Sequence, residues 1–458
     1  MLGSLFLVWG FICLIFLFIR IQRPKNFPPG PRPVPIFGNL FQLNITNPLK
    51  DFDKFAERYG NVYSLYFGGR PAVILNGFKA VKEALVTKAA DFSGRPQNIL
   101  ISDVTKGKGV IFVDYNSEWK EHRRFALTTL RNFGMGKQSM EERILGETEH
   151  LVECLEKSVG NLMSGLLYYS IITKRAFTSS FLQIYDTFPF LRGLPLPFKK
   201  AVANFEVLKM ITSKMIDKYK PSRVQGEQEN FVEKCLHFNP PENAVNHIFS
   251  STTCNIVDLH AAGTDTTSNT LLTAFLYLIT HPDIQEGCQQ EIDEVLEGKA
   301  HVSFEDRQKM PYVQAVMHES QRFGSTVPLS VPHCTTRDTE LMGYSIPKGT
   351  VIYPNLYSVL NEESQWKFPH KFNPANFLNE KGQFEKPEAF MPFSVGPRSC
   401  LGEGLARMEL FLILVTLLRR FQFFWPENAG EPDFTPVYGI TLTPKPYRMG
   451  IRLRQPVR

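Results

Sequence analysis

The segment Phe393-Ser-Val-Gly396-Pro-Arg398-Ser-Cys400-Leu-Gly402 puts a sulfur nucleophile, two glycines, an arginine and an aromatic ring just before an apolar stretch that ends near Arg420. A cysteine thiolate so placed can hold an iron atom and push electron density through it. The free N–H groups and positive dipole end of a helix start would steady that anion and lower the thiol pKa. Gly396 and Gly402 would allow close backbone approach or a sharp turn. Phe393 would cover the sulfur, and Arg398 would reach a carboxylate of a bound cofactor. By average residue usage, Phe-x-x-Gly-x-Arg-x-Cys-x-Gly arises by accident in a chain this long on the order of once in ten thousand. The other cysteines, Cys13, Cys154, Cys235, Cys254, Cys288 and Cys334, form no CxxC or zinc-like group. They read as small buried apolar residues, and the odd total of seven with Cys400 argues for a reducing compartment rather than a disulfide scaffold.

A second polar cluster interrupts an apolar helical stretch over 246–279. Ala262-Gly263-Thr264-Asp265-Thr266-Thr267-Ser268-Asn269-Thr270 lies between Ile256-Val257 and Leu271-Leu272. Hydroxyl and acid side chains compete for backbone bonds, which would open a local bulge that admits water. An Asp-Thr pair there could relay protons. The alternative is a cap at Thr264 or Asp265 that divides the stretch into two shorter helices.

Glu319 and Arg322 lie one helical turn apart, where opposite charges meet. The spacing alone decides nothing, because Glu121 and Arg124 share it and exposed pairs contribute only ~0.3–0.5 kcal/mol. What sets Glu319 apart is its otherwise apolar helix.

These groups need a large scaffold. The chain has 458 residues, 43% hydrophobic and 21% charged, with a formal charge of +6. That suits two or three average domains, or one large helical domain able to enclose a cofactor. The basic excess is interspersed with 45 acids and carries no nucleic-acid signature. Leu2 to Ile19 is uncharged and apolar; as a helix it would reach ~27 Å, close to the ~30 Å of a bilayer core. Arg20, Arg23 and Lys25 follow it without a cleavage site, so residues 1–20 read as a retained anchor with the rest of the chain cytosolic. Residues 21–38 form a basic, proline-rich stretch, extended and semi-rigid, that serves as a hinge on the membrane or as a plain linker. Residues 39–458 then form the working domain. Val62–Phe67 and Ala72–Leu75 flank a Gly/Pro turn and predict a hairpin. Helical patterns follow near 77–87, 117–131, 140–157, 200–219, 246–279, 282–297, 311–323 and 402–420, with strand-like pieces near 341–353 and 447–453. The expected fold is mainly α with a minor β-sheet region.

The cysteine segment resembles the haem-binding signature of the cytochrome P450 superfamily. The proline-rich stretch, Trp119-Lys-Glu-His-Arg123-Arg124 and Ala262-Gly-Thr-Asp-Thr266-Thr267 resemble microsomal members of family two, most of all the fatty-acid-oxidising J subfamily and its fish relatives. The likeness covers about 27–157 and 257–457. It implies the cytochrome P450 fold after one N-terminal transmembrane helix, with haem b bound through Cys400. It implies a haem pocket that includes Phe393 and Gly402, and Arg95, Trp119, Arg123, His333 and Arg398 around the haem carboxylates. Thr266 would be the oxygen-facing hydroxyl and Asp265 its supporting acid. Glu319 and Arg322 would lock the core, with Asn376 standing where Arg or His is commoner.

The pocket would be lined from 98–112, from Leu259, Ala261 and Ala262, from Val327 to Val331 and from Tyr438 to Thr441. The implied activity is a monooxygenase of the unspecific type acting on polyunsaturated fatty acids such as arachidonate, or on xenobiotics. Electrons would come from NADPH through NADPH-cytochrome P450 reductase docked on Lys120, Arg124, Arg131 and Lys137, with cytochrome b5 as a second partner. The location would be the endoplasmic reticulum membrane.

Two stretches depart from the family pattern, 158–182 and 236–256. A lost core helix there would cost several kcal/mol, comparable with a domain's margin. That raises a second reading, an unstable or non-catalytic membrane haem-binding variant. A haem-thiolate isomerase that rearranges a peroxide is a third, disfavoured because it needs neither Asp265 nor Thr266.

Overall fold

The computed structural model describes residues 9–11, 23–44, 46–132, 138–157, 185–195, 198–219 and 245–454. Helix α1 (Leu49–Tyr59) leads into a hairpin of β1 (Val62–Phe67) and β2 (Arg70–Leu75), paired from Val62–Leu75 to Phe67–Arg70. This is the expected hairpin, extended by two residues at Arg70. Helix α2 (Gly77–Lys82) continues as a wider turn to Thr87, followed by α3 (Leu100–Thr105), α4 (Ser117–Asn132), α5 (Gln138–Glu156) and α6 (Phe198–Tyr219). Helix α7 (Val245–Thr280) has 36 residues, about 54 Å at the usual rise. Next come α8 (Pro282–Val295) and α9 (Pro311–Gly324), then β3 (His333–Cys334), β4 (Thr339–Leu341), β5 (Tyr344–Ile346) and β6 (Val351–Pro354). Helices α10 (Leu356–Leu360) and α11 (Glu403–Arg420), with β7 (Phe421–Phe424) and β8 (Gly450–Leu453), close the chain.

The main sheet has the order β1-β2-β6-β3, with β6 parallel to β2. Apolar faces of α5, α7, α8, α9 and α11 enclose one core around Ile292, Val313, Phe411 and Leu418. The sheet and α2 enclose a second around Val73, Leu85, Ile352 and Phe377. Helix α9 begins at Pro311, where a missing donor costs nothing. Glu291 of α8 accepts the Tyr312 and Val313 N–H groups at 2.9 and 2.7 Å, so one helix caps the next.

The proline-rich stretch is docked rather than free. Ser64 donates its N–H to the Pro29 carbonyl and its hydroxyl to that of Pro28, both at 2.7 Å, and Asn39 N–H reaches the Tyr66 carbonyl at 2.7 Å. A Cβ at Gly30 would meet the Ser64 carbonyl at 2.0 Å, so a side chain there would lift the stretch off β1.

Two expectations need correction, and two others fall largely outside the described residues. Helix α7 is unbroken through its polar run, without the bulge and without a division at Thr264 or Asp265. The hydroxyls of Thr264, Thr266, Ser268 and Thr270 bond back to the carbonyls of His260, Ala262, Thr264 and Thr266 at 2.7–2.8 Å, sharing the helix's own acceptors instead of displacing them. Cys154 is exposed rather than buried, and Cys334 is half-buried; Cys288 is fully buried. The segment 158–182 and residues 236–244 lie outside the described residues, whereas from Val245 the chain is helical. Among the described residues no helix is long and apolar enough to cross a membrane; of 1–20 only 9–11 are described, as helix.

Candidate active site

The cysteine loop forms through one tight crossing. Gly396 has φ +76°, and a Cβ there would meet the Leu85 carbonyl at 1.9 Å, so only glycine lets the loop lie against the end of α2. Pro397 and Arg398 complete a short 3-10 turn, and the Cys400 N–H donates to the Phe393 carbonyl at 2.9 Å. Gly402 is the α11 N-cap with φ −93°, a conformation open to other residues. A Cβ on it would touch nothing within 4 Å. Its role is therefore not the close approach or sharp turn expected from sequence.

The Cys400 thiol is accessible to solvent on one side, yet its environment raises rather than lowers its pKa. The surrounding protein disfavours the anion most, and Glu403 adds to this. The Gly402 and Glu403 N–H groups and the Arg123 guanidinium pull the other way. The helix start thus acts as expected, but partial burial outweighs it.

Around this loop three arginines and a histidine converge from four segments. Arg95 is buried, with Nε on the Ile111 carbonyl at 2.9 Å and Nη1 on those of Val331 and Pro332 at 3.1 and 2.8 Å. Arg123 of α4 donates to the Ser399 carbonyl at 2.6 Å. Arg398 donates from Nε to Ser93 and from Nη2 to Val113 at 2.9 and 2.7 Å, and its Cζ lies 3.9 Å from the Trp119 ring centroid. Trp119 is buried and its indole N–H is taken by the Val110 carbonyl at 2.9 Å, so in this structure it stacks on the cluster rather than offering a donor. His333 donates from Nδ1 to the Phe92 carbonyl at 2.6 Å, since a carbonyl only accepts.

Two atoms in this cluster are buried without a partner, Arg398 Nη1 and His333 Nε2. Burial, then mutual repulsion, depresses Arg95; burial brings Arg398 down to about 9; burial and Arg95 hold His333 neutral. Exposed Asp114, which accepts the Arg95 backbone N–H at 3.0 Å, opposes this for both arginines. Such crowding of cations is costly unless an anion is brought in. A group with two carboxylates and an iron to accept the Cys400 sulfur fits the donor set: it would fill the orphaned guanidinium position and draw a proton onto His333 Nε2.

One residue missed in the sequence supports the whole cluster. Asp258 of α7 is buried, and its Oδ2 accepts the Val110 and Ile111 N–H groups at 2.8 and 3.1 Å. The carbonyls of those same residues hold Trp119 and Arg95. A Cβ at Gly109 would meet Asp258 Oδ2 at 2.4 Å. The signal was a lone acid in the apolar run Ile256-Val257-Asp258-Leu259.

Asp265 and Thr266 sit half-buried beside exposed Ala262 and Gly263. A Cβ at Gly263 would touch nothing within 4 Å, so this helix face borders open space. Asp265 is held by Thr441, whose hydroxyl donates to Oδ2 at 2.7 Å. Glu409 of α11, whose carboxyl burial raises to about 7, bonds Thr267.

A cavity of about 670 Å³ is lined by Ile99, Leu100, Phe112, Pro328 to Pro332 and Val437 to Ile440, with Arg70, Asp186 and Lys445 among its polar residues. The expected segments 98–112, 327–331 and 438–441 all contribute. Leu259, Ala261, Ala262 and Val327 do not; on α7, exposed Ala262 lies beside the open space at Gly263 instead. The cavity and the cation cluster share a wall: Val331 and Pro332 line the one and bond Arg95 in the other.

Glu319 and Arg322 are fully buried and bidentate at 2.7 and 2.8 Å. The remaining Arg322 donors take the carbonyls of Leu360, Phe368, Pro369 and Lys371. Asn376 reaches both Glu319 oxygens at 3.2 and 3.3 Å, donates to the Phe368 carbonyl and accepts the Phe368 N–H at 2.8 Å. Burial raises the Glu319 carboxyl, while Arg322, the Asn373 N–H and Asn376 pull it down. Lys120, Arg124 and Arg131 are exposed along α4; Lys137 lies outside the described residues.

The sequence model of the family described as "Cytochrome P450" matches residues 28–169 and 165–451. The chain is 39% identical to cytochrome P450 2K1 of Oncorhynchus mykiss, with 95% of this chain and 94% of that protein covered. It is 38% identical to cytochrome P450 2D3 of Rattus norvegicus (96% and 95%) and 37% identical to cytochrome P450 2J2 of Homo sapiens (94% and 92%).

Proposed function

The chain belongs to the cytochrome P450 family, as a family 2 monooxygenase, and on that footing we propose which residues do the work and on what substrates. The family implies haem. When bound, haem supplies the activation of dioxygen, one atom of which enters the substrate. Cys400 is the iron ligand, within a pocket to which Phe393 and Gly402 belong. Arg95, Arg123, Arg398 and His333 hold the two carboxylates, with Trp119 stacked behind Arg398. Asp265 and Thr266 move protons to the reaction side. Glu319, Arg322 and Asn376 fix the loop geometry and take no part in the chemistry. The observation that carries this reading is the buried cation cluster beside Cys400, with Arg398 Nη1 and His333 Nε2 left without partners.

The substrates are lipophilic. The cavity wall is mostly apolar; Arg70 gives it a cationic position beside Asp186, while Lys445 is paired with Asp433 at 2.6 Å. Polyunsaturated fatty acids such as arachidonate are placed first, with Arg70 for the acid head group, and xenobiotics second. The relatives span the 2K, 2D, 2J and 2C proteins, so the sequence comparison favours no one subfamily. Electrons come from NADPH through the reductase, with cytochrome b5 as an accessory donor, docked on the exposed α4 face at Lys120, Arg124 and Arg131. The domain leans on the endoplasmic reticulum membrane through an anchor at 1–20 and the hinge at 21–38. Exposed Ile36, Phe37, Phe41 and Phe190 support a lipid-facing surface; the Phe37 and Phe188 rings, 5.6 Å apart, join the two segments.

The test is the full chain in phospholipid with reductase, NADPH and arachidonate. Products one oxygen atom heavier than the substrate are expected. NADPH-dependent turnover of xenobiotics with none of arachidonate would overturn the fatty-acid assignment.

A further inference from the structure

We infer that Thr441 is a positioning residue that couples occupancy of the cavity to proton delivery by Asp265. The inference rests on Asp265 and Thr266 being the proton relay. Residues 437–440 line the cavity, and the chain then turns back, with Val437 and Thr443 exchanging backbone bonds at 2.7 and 3.1 Å. The far side of this turn is fastened to the relay segment of α7. Thr441 Oγ1 donates to Asp265 Oδ2 at 2.7 Å and accepts from Asn269 Nδ2 at 3.3 Å. Next to it the Leu442 N–H donates to the Thr326 carbonyl at 2.8 Å, and the Thr326 hydroxyl meets that of Thr270 at 3.1 Å. Thr270 in turn donates to the Thr266 carbonyl at 2.8 Å.

A single short turn therefore has its inner side against the substrate space and its edge on the carboxylate. A hydroxyl has one proton, and Thr441 gives it to Asp265. While that bond stands, one carboxylate oxygen is occupied and the side chain is held toward the turn. A substrate packed against Val437 to Ile440 displaces Thr441 and lets Asp265 rotate to serve Thr266. Protons would then be delivered when the cavity is filled and withheld when it is empty. Ile440 is partly exposed, which leaves this wall able to yield.

The experiment compares wild type, Thr441→Val, Thr441→Ala, Thr441→Ser and Asp265→Asn. Each is the full haem-loaded chain with reductase, selected for an unchanged carbon-monoxide spectrum and melting temperature. NADPH oxidation is measured in H2O and in D2O, with and without saturating arachidonate as the cavity probe. The Asp265 carboxyl stretch is followed by infrared difference spectroscopy on adding arachidonate, where wild type should shift and Thr441→Val should not. In the wild type the solvent isotope effect should differ between empty and filled protein. Thr441→Val and Thr441→Ala should remove that difference and raise ligand-free NADPH oxidation several-fold. Thr441→Ser should restore both. A purely structural role would leave the isotope effect unmoved. If Asp265→Asn slows turnover at least tenfold while both Thr441 variants keep the wild-type ligand dependence, the latch is wrong and the relay stands. If Asp265→Asn changes nothing, the relay itself is wrong and the inference falls with it.

Discussion

Replacement of Asp258 should separate the support of the cation cluster from the cluster itself. One carboxylate oxygen accepts two buried N–H groups, those of Val110 and Ile111. Removing both bonds leaves two unsatisfied donors at ~1–3 kcal/mol each, so Asp258→Ala should destabilise the protein by about 2–6 kcal/mol. The Val110 and Ile111 carbonyls position Trp119 and Arg95, so the same variant should also lose haem several times faster. Asp258→Asn can turn its one amide oxygen toward the two N–H groups and should cost less than about 1 kcal/mol at neutral pH. The two variants differ in pH response. Burial raises the Asp258 carboxyl to about 6 from its ordinary 3.8. The folded protein thus holds this proton more tightly than the unfolded chain does. Its stabilising contribution is full below the ordinary pKa and is lost as pH rises through about 6. The wild type should therefore gain about 1 kcal/mol over Asp258→Asn between pH 7 and pH 5. Urea unfolding at the two pH values measures this. The reasoning fails if Asp258→Ala is as stable as wild type, or if Asp258→Asn keeps the full pH dependence.

Asn376→Ala should lose about 2–4 kcal/mol by stripping partners from Glu319 and the Phe368 N–H, read as an earlier melt at one fixed scan rate; a Tm within a degree of wild type would count against Asn376 as a structural member. Arg398→Met removes a crowded buried cation, so the haem-free protein should gain about 1–3 kcal/mol while haem affinity drops at least tenfold; equal losses in both would show that Arg398 serves stability instead. Thr266→Ala should divert electrons from product to peroxide by several-fold, measured as peroxide released per NADPH, with an unchanged ratio removing Thr266 from the relay.

The contrast between two identical spacings shows what a linear reading can reach. Glu121 and Arg124 are both exposed on α4, whereas Glu319 and Arg322 are wholly buried. The difference comes from four carbonyls that arrive from residues 360–371, which no local pattern encodes. The cysteine loop was legible because its constraint shows in the residue type at its own position: Gly396 passes under the Leu85 carbonyl, where only glycine fits. The hairpin and most helices were legible through periodicity for the same reason. Thr441 and Asp258 were not singled out, since a threonine or an aspartate carries no mark of the distant partner it serves. The bulge in α7 was expected from residue types that disfavour helix, but hydroxyls bonded to the preceding turn let the helix continue. Trp119 was placed on the helix face of Arg123 correctly, yet its N–H is spent on Val110, a partner nine residues upstream in a loop.

The account turns on Cys400 as the sulfur that receives iron. The direct measurement is the carbon-monoxide difference spectrum of the reduced, haem-loaded full chain beside Cys400→Ala. The wild type should show the long-wavelength band of a thiolate-ligated haem, and Cys400→Ala should lack it while retaining its fold by circular dichroism. A thiolate-type band that survives in a folded Cys400→Ala protein would contradict the account.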